Sequence, residues 1–213
     1  MMSEKVKKGD FVELDYTAMI KSNGLVFDTT IEADAKKHNI HAKDMSYKPL
    51  IIKVGEGQLV KGLDAFIVDK APGSHKVELD AENAFGKKNA KLLRLVPLNV
   101  FHKSEIQPVP GLEVELDGHR GIVRTISGGR VIVDFNHPLS SQDITYDVVI
   151  KGIVTDPKAK VEAALELFRI PFEKVHFENG KAEVTFKTKI PEEVATPITV
   201  ELKKLTDVDV EFK

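Results

Sequence analysis

The sequence predicts an α+β chain: a mainly antiparallel sheet with a short helix, a small all-β lobe inserted in it, and a C-terminal α/β domain. Three observations predict this. Val12, Leu14, Tyr16, Ala18 and Ile20 fall on one face of a strand and Glu13, Asp15 and Thr17 on the other, the period-two pattern of a half-buried strand. Short apolar runs recur between about Asn89 and Phe135, separated by the hairpin dipeptides Asp117-Gly118 and Gly128-Gly129. Asp156-Pro157 then opens an amphipathic helix bearing Val161, Ala164, Leu165 and Phe168. At 213 residues the chain exceeds the usual single core, so two or three compact units are expected.

The elements follow in order. The first strand turns at Asn23-Gly24, residues that accept positive φ, into a second strand ending at Phe27-Asp28. Asp28 is the polar exception there, beside an aromatic residue with Tyr16 on the partner strand. Ile31 to Ser46 is polar and rich in Ala and Lys, a short helix within a long loop, and Tyr47 to Val54 reads as a strand. After Gly55-Glu56-Gly57, the spacing of Leu59, Leu63 and Phe66 predicts a short helix over Gln58 to Val68. His75 to Leu79 and Asp143 to Val154 are further strands. Inside the insert, strands are expected at Leu92 to Val96, Leu112 to Leu116, Gly121 to Ile126 and Val131 to Phe135, with a helical turn at Pro97 to His102. Beyond the helix opened by Asp156-Pro157, Val175 to Phe177 and Ala182 to Phe186 form a hairpin through Asn179-Gly180. Thr196-Pro197 reads as cap and first turn of a last helix bearing Ile198, Leu202 and Leu205, before a strand of alternating Val208, Val210 and Phe212.

Composition excludes several chemistries. The chain has no cysteine, which removes disulfides, thiol catalysis and Cys-based zinc sites. Lys+Arg 31 against Asp+Glu 33 leaves no global field for nucleic acid or anionic membrane. The lysine-rich patches lack interleaved aromatics and read as solvated faces. The opening MMSEKVKKGD lacks the apolar core of a signal peptide and no run is long enough for a membrane helix, so a soluble, cytoplasmic protein is expected. His38 and His41 have a spacing that suits a metal on a helix, but without a carboxylate cluster they read as solvated loop, and no metal is expected.

Several motifs in fixed order resemble the FKBP-type peptidyl-prolyl cis-trans isomerases, in the SlyD-like long form found in archaea. They are Leu14-Asp15-Tyr16-Thr17, Asn23-Gly24 with Val26-Phe27-Asp28-Thr29-Thr30, and Val54-Gly55-Glu56-Gly57-Gln58-Leu59-Val60-Lys61-Gly62-Leu63-Asp64. Glu82-Asn83-Ala84-Phe85-Gly86 and Val133-Asp134-Phe135-Asn136-His137-Pro138-Leu139 follow. The resemblance covers about residues 6–154. It implies a bent antiparallel sheet wrapped around one short helix, spanning residues 1–88 plus 136–155, with an insert-in-flap domain at 89–135. Residues 156–213 form a C-terminal α/β domain, which by its small size is expected to complete its core in a homodimer.

The resemblance also implies the site. Tyr16, Phe27, Leu50, Leu59, Val60, Leu63, Phe85 and Tyr146 would wall an apolar pocket, with Leu63 as floor, the Val60 N–H binding a substrate carbonyl and Asp28 at the rim. His137 and Leu139 are expected at the rim as well. Phe85 stands where well-known members have tyrosine, and Leu63 replaces a larger aromatic, both of which bear on macrolide binding. Taken singly, Tyr16, Phe27 and Phe85 read as core aromatics and Asp28 as a turn cap; their joint placement in ordered motifs reverses that reading. The implied activity is rotation of X-Pro bonds without cofactor. The insert would hold unfolded chains through Leu98, Val100, Phe101, Ile122, Ile126, Ile132 and Val133. The alternative is a binding module with little isomerase activity; a nucleic-acid role is disfavoured by the charge balance.

Overall fold

A computed structural model describes residues 4–188 and 190–213. In chain order the elements are β1 (Phe11–Ile20), β2 (Val26–Thr29), α1 (Glu32–Lys37), β3 (Leu50–Lys53), α2 (Lys61–Ile67), β4 (Gly73–Leu79), β5 (Leu93–Pro97), α3 (Leu98–Lys103) and β6 (Glu113–Leu116). There follow β7 (His119–Ser127), β8 (Arg130–Asp134), β9 (Ile144–Ile153), α4 (Pro157–Leu167), β10 (Lys174–Glu178), β11 (Lys181–Thr185), α5 (Glu192–Thr206) and β12 (Asp209–Phe212). No described helix is long and apolar enough to cross a membrane.

The chain divides into two compact units, residues 1–79 with 144–213 and residues 80–143. The expected insert boundaries at 89 and 135 lie inside the second unit, and residues 156–213 count with the first. The reason for the wider second unit is local: the segments flanking the insert bond to each other. Ser141 N–H donates to Gly86 O at 2.8 Å, Lys88 N–H to Ser141 Oγ at 2.8 Å and Ala81 N–H to Asp143 Oδ1 at 3.0 Å.

In the first unit, β1 is the spine of a sheet ordered β2-β1-β9-β4. One edge of β1 is shared by two partners in tandem. Phe11 to Leu14 pair with β3, from Phe11↔Lys53 to Leu14↔Leu50, and Thr17 to Met19 pair with β2. Val12, Leu14 and Ala18 are fully buried, as their alternation requires. Thr17, expected to face outward, is buried too, because α1 covers that side and the Thr17 hydroxyl donates to Asp34 Oδ2 at 2.9 Å. Asn23-Gly24 is not a two-residue turn. Residues 21–25 form the connection, Gly24 alone of the two takes positive φ (70°), and Asn23 Oδ1 instead accepts from Leu25 N–H at 3.0 Å. The helix α2 starts at Lys61, so Leu59 and Val60 precede it and its buried residues are Leu63 and Ile67, one turn apart. Phe66 is half-buried, edge-on to His75 with ring centroids 6.3 Å apart.

The C-terminal region has its own core of Val161, Ala164, Leu165, Val175, Ala182, Val184, Leu202 and Val208. Asp156 caps α4, accepting from Lys158 N–H at 3.1 Å and Ala159 N–H at 3.4 Å. The hairpin β10–β11 turns at Asn179 (φ 51°) and Gly180 (φ 82°), and β12 pairs parallel to β11. The expected helix start at Thr196-Pro197 is corrected: α5 begins at Glu192, where Pro191 O accepts from Val194 and Ala195 N–H, and Pro197 lies inside it. Pro197 has no N–H to offer Glu193 O, and one residue earlier Thr196 Oγ1 donates to Glu192 O at 2.9 Å. Lys53 on β3 donates to Leu205 O at 2.7 Å, in the last turn of α5, and Lys48 pairs with Glu166 on α4.

The second unit is a sheet ordered β5-β8-β7-β6 over a core of Phe101, Val114, Val123, Val131 and Val133. Asp117-Gly118 (φ 52°, 74°) and Gly128-Gly129 (φ 55°, 72°) make the tight turns expected of them. At Gly121 a side chain has no room, since a Cβ would lie 2.7 Å from Val133 Cγ1 and 2.8 Å from the Phe135 ring.

Candidate active site

The register of the first sheet fixes which residues share its apolar face. Ala18 stands opposite Asp28 on β2 and opposite Tyr146 on β9, and Leu14 stands opposite Leu50 on β3. Residues paired across antiparallel strands point to the same side. Leu14, Tyr16, Ala18, Asp28, Leu50 and Tyr146 therefore line one face.

On that face Tyr16 Oη donates to Asp28 Oδ2 at 2.7 Å. The Tyr146 ring meets the Tyr16 ring edge-on, centroids 5.9 Å apart at 63°. Burial first, then the bond to Asp28, pushes the Tyr16 phenol far above the ordinary tyrosine range. Burial, with Asp28 second, pushes Tyr146 up to about 12. Both phenols thus stay protonated at neutral pH, and Tyr16 remains a donor to the carboxylate. Among the described residues Asp28 has no other hydrogen-bond donor.

Behind this face lies a second layer of polar contacts that the sequence pattern did not reveal. Thr30 Oγ1 accepts from Tyr16 N–H at 3.0 Å and donates to Asp15 Oδ1 at 2.7 Å, and Lys151 lies 3.0 Å from Asp15 Oδ2. Alternation alone marked Asp15 as an outward residue. The one available signal was a pair of consecutive threonines directly after Asp28.

Of the expected wall residues, Leu63 is buried on α2, while Phe27, Leu59 and Val60 are half-buried. Val60 O accepts from Leu63 and Asp64 N–H, and among the described residues no backbone carbonyl accepts from its own N–H. Phe85, His137 and Leu139 belong to the second unit. There the rings of Phe85 and His137 stack 4.8 Å apart and nearly parallel (2°), and Leu139 N–H donates to His137 Nδ1 at 3.2 Å.

The second unit also separates the residues expected on its surface. Phe101, the buried residue of α3, and Val133, on the inner face of β8, are fully buried in its core and cannot meet a client. Leu98 and Ile126 pack against that core. Ile122 and Ile132 lie on the outer face, and Val100 is exposed. The outer face also carries Leu93 and Leu95, opposite Asp134 and Ile132, which the motif reading passed over. Leu95 is 59% exposed and Leu93 45%. Beside them Asp134, only 2% exposed, accepts from Arg124 Nη2 at 3.0 Å and Nε at 3.1 Å, from Lys88 at 3.3 Å and from Asn136. Burial alone would raise its pKa, but the bonds from Asn136, Arg124 and Lys88 outweigh it and hold the carboxyl at about 2.

The class expected from the motifs, a peptidyl-prolyl isomerase carrying an inserted lobe, is the class of the proteins this chain is similar to. The profile of the FKBP-type peptidyl-prolyl cis-trans isomerase family matches residues 2–99, and that of the FKBP26 IF domain matches residues 94–139. A probable FKBP-type 16 kDa peptidyl-prolyl cis-trans isomerase of Pseudomonas fluorescens is 32% identical over 108 residues, 48% of this chain and 71% of that protein. A short-type peptidyl-prolyl cis-trans isomerase of Methanocaldococcus jannaschii is 27% identical over 71% of this chain and 96% of that protein. The FKBP-type isomerase SlyD of Vibrio cholerae is 26% identical over 70% of this chain and 69% of that protein. The chain belongs to the FKBP-type peptidyl-prolyl cis-trans isomerase family and is an enzyme of that class.

Proposed function

We propose that the face bearing Tyr16, Asp28, Leu50 and Tyr146, with Leu63 as floor, takes the proline ring of a polypeptide and rotates its X-Pro bond. The observation that carries this is the Tyr16–Asp28 pair, a carboxylate with one donor at the end of an apolar strand face. Rotation meets a barrier of ~18–20 kcal/mol set by amide resonance, which places partial charge on oxygen and nitrogen. An apolar pocket disfavours that charge-separated planar state relative to the twisted one, and each ~1.4 kcal/mol of differential stabilisation gives tenfold in rate. The Val60 N–H, from which no described backbone carbonyl accepts, is read as the donor to a substrate carbonyl, and the carboxylate of Asp28 as favouring the twisted state electrostatically. A protease-coupled assay on an X-Pro peptide tests the reading: wild-type protein without activity overturns it.

The outer face of the second unit, with Leu93, Leu95, Ile122 and Ile132, is read as a holding surface for unfolded chains that raises their local concentration. Suppression of aggregation of a denatured protein tests this directly. The C-terminal region is read as a self-association element, supported by Val194 and Val200 exposed on α5. Equal monomer masses by light scattering for the full chain and for residues 1–155 would remove that assignment.

A further inference from the structure

The two partners that share one edge of β1 leave a gap between them. Pairing with β3 ends at Leu14 and pairing with β2 begins at Thr17, so Asp15 and Tyr16 have no strand partner on that edge. Continuing the β2 register would set Tyr16 opposite Thr30 as a hydrogen-bonded pair, each amide donating to the other's carbonyl. Half of that pair exists: Thr30 N–H donates to Tyr16 O at 3.0 Å. The return bond is different, because Tyr16 N–H donates to the Thr30 hydroxyl rather than its carbonyl. The hydroxyl stands in for the missing ladder acceptor while the chain turns away toward α1.

The substitution is itself held in place. A hydroxyl has one proton, and that of Thr30 goes to Asp15 Oδ1 at 2.7 Å, which fixes its lone pair on Tyr16. Asp15 is held by Lys151, and Lys151 is the extra residue of a β-bulge, since Glu13 pairs with Gly152 and Leu14 with Ile150. Bulges re-aim a side chain in this way.

We propose that Thr30 is a positioning residue for the isomerase reaction, fixing the Tyr16 backbone so that its phenol meets Asp28. This rests on the reading of the Tyr16–Asp28 pair given above. Thr30 acts through Tyr16, and it stands two residues downstream of the carboxylate that Tyr16 must reach.

The test is a double-mutant cycle in the protease-coupled assay with Thr30→Val, Asp28→Ala and both together. Thr30→Val keeps the shape and removes the hydroxyl; the expected fall in kcat/KM is about tenfold, and Thr30→Ser restores most of it. In the Asp28→Ala background the same change is expected to have almost no further effect, since the partner being positioned is gone. Full additivity with Asp28→Ala, or activity of Thr30→Val equal to wild type, overturns the proposal. If Thr30→Val does not fold, Asp15→Asn takes its place in the cycle; it weakens the same hydroxyl bond, so a smaller fall, again absent with Asp28→Ala, is expected, and an additive result overturns it. Wild-type inactivity instead overturns the isomerase site itself, so the two failures are distinct.

Discussion

The two units each contain a carboxylate in a sheet, and they treat it in opposite ways. Asp134 in the second unit is buried and accepts from Arg124, Lys88 and Asn136. Asp28 in the first is half-buried and accepts from Tyr16 alone among the described residues. A saturated carboxylate has no capacity left for a ligand and serves structure; one with a single neutral donor keeps oxygen lone pairs available. The parallel extends to the supports. In each unit a bulge turns a cation onto a carboxylate: Lys151 onto Asp15, and Arg124, unpaired between Val123↔Val133 and Thr125↔Ile132, onto Asp134. In the first unit that ion pair stands one layer behind the site, and among the described residues Asp28 has no cationic partner.

This contrast predicts that replacing the two carboxylates gives opposite phenotypes. Asp28→Ala is expected to lower kcat/KM about 10²-fold, the scale for removing one preorganised electrostatic group, while chemical denaturation shows a loss of about 1 kcal/mol, that of the Tyr16 hydrogen bond. Asp134→Ala is expected to leave two cations facing a buried gap and destabilise the second unit by about 2 kcal/mol, discounted from a fully buried pair because Arg124 and Lys88 are each 45% exposed. An activity loss for Asp28→Ala accompanied by equal destabilisation would erase the distinction.

Acid sharpens the same point. The Asp134 carboxyl is lowered to about 2, so its contribution is fully present above the unfolded-state value near 4 and is lost as pH falls through 2. Denaturation monitored between pH 4 and pH 2 is expected to show about 2 kcal/mol of stability disappearing. In Asp134→Ala that part of the pH dependence is expected to vanish; a profile unchanged by the substitution would mean that other carboxylates carry it.

Much of this was legible in the sequence, and the misses have physical causes. Period-two alternation located β1 and β9, and Asn-Gly, Asp-Gly and Gly-Gly pairs located the hairpins of both units, because these signals are local. Thr196-Pro197 misled because a proline that favours a first turn also occurs further in, here in the second turn of α5. Phe101 and Val133 were placed on the holding surface because apolarity alone does not say which side of a helix or which face of a sheet is covered. Thr30, Asp15 and Lys151 were missed because their relation depends on a bulge and on the gap between β2 and β3, neither of which has a sequence period.

The smallest expected effect on stability concerns the outer face of the second unit. Leu95 and Ile132 pair directly across β5 and β8, on the side away from Phe101 and Val133. The unit's core is complete without them, so their apolar surface has no structural role in the folded unit. Leu95→Lys with Ile132→Lys is therefore expected to change unfolding free energy by no more than about 0.5 kcal/mol, to leave isomerisation of a short X-Pro peptide unaltered, and to weaken suppression of aggregation of a denatured protein several-fold. Val133→Lys on the inner face is expected to unfold the unit instead, because a single β-strand step reverses which side of the sheet the charge meets. Equal aggregation suppression by the outer-face double variant and the wild type would remove this surface from the protein's function.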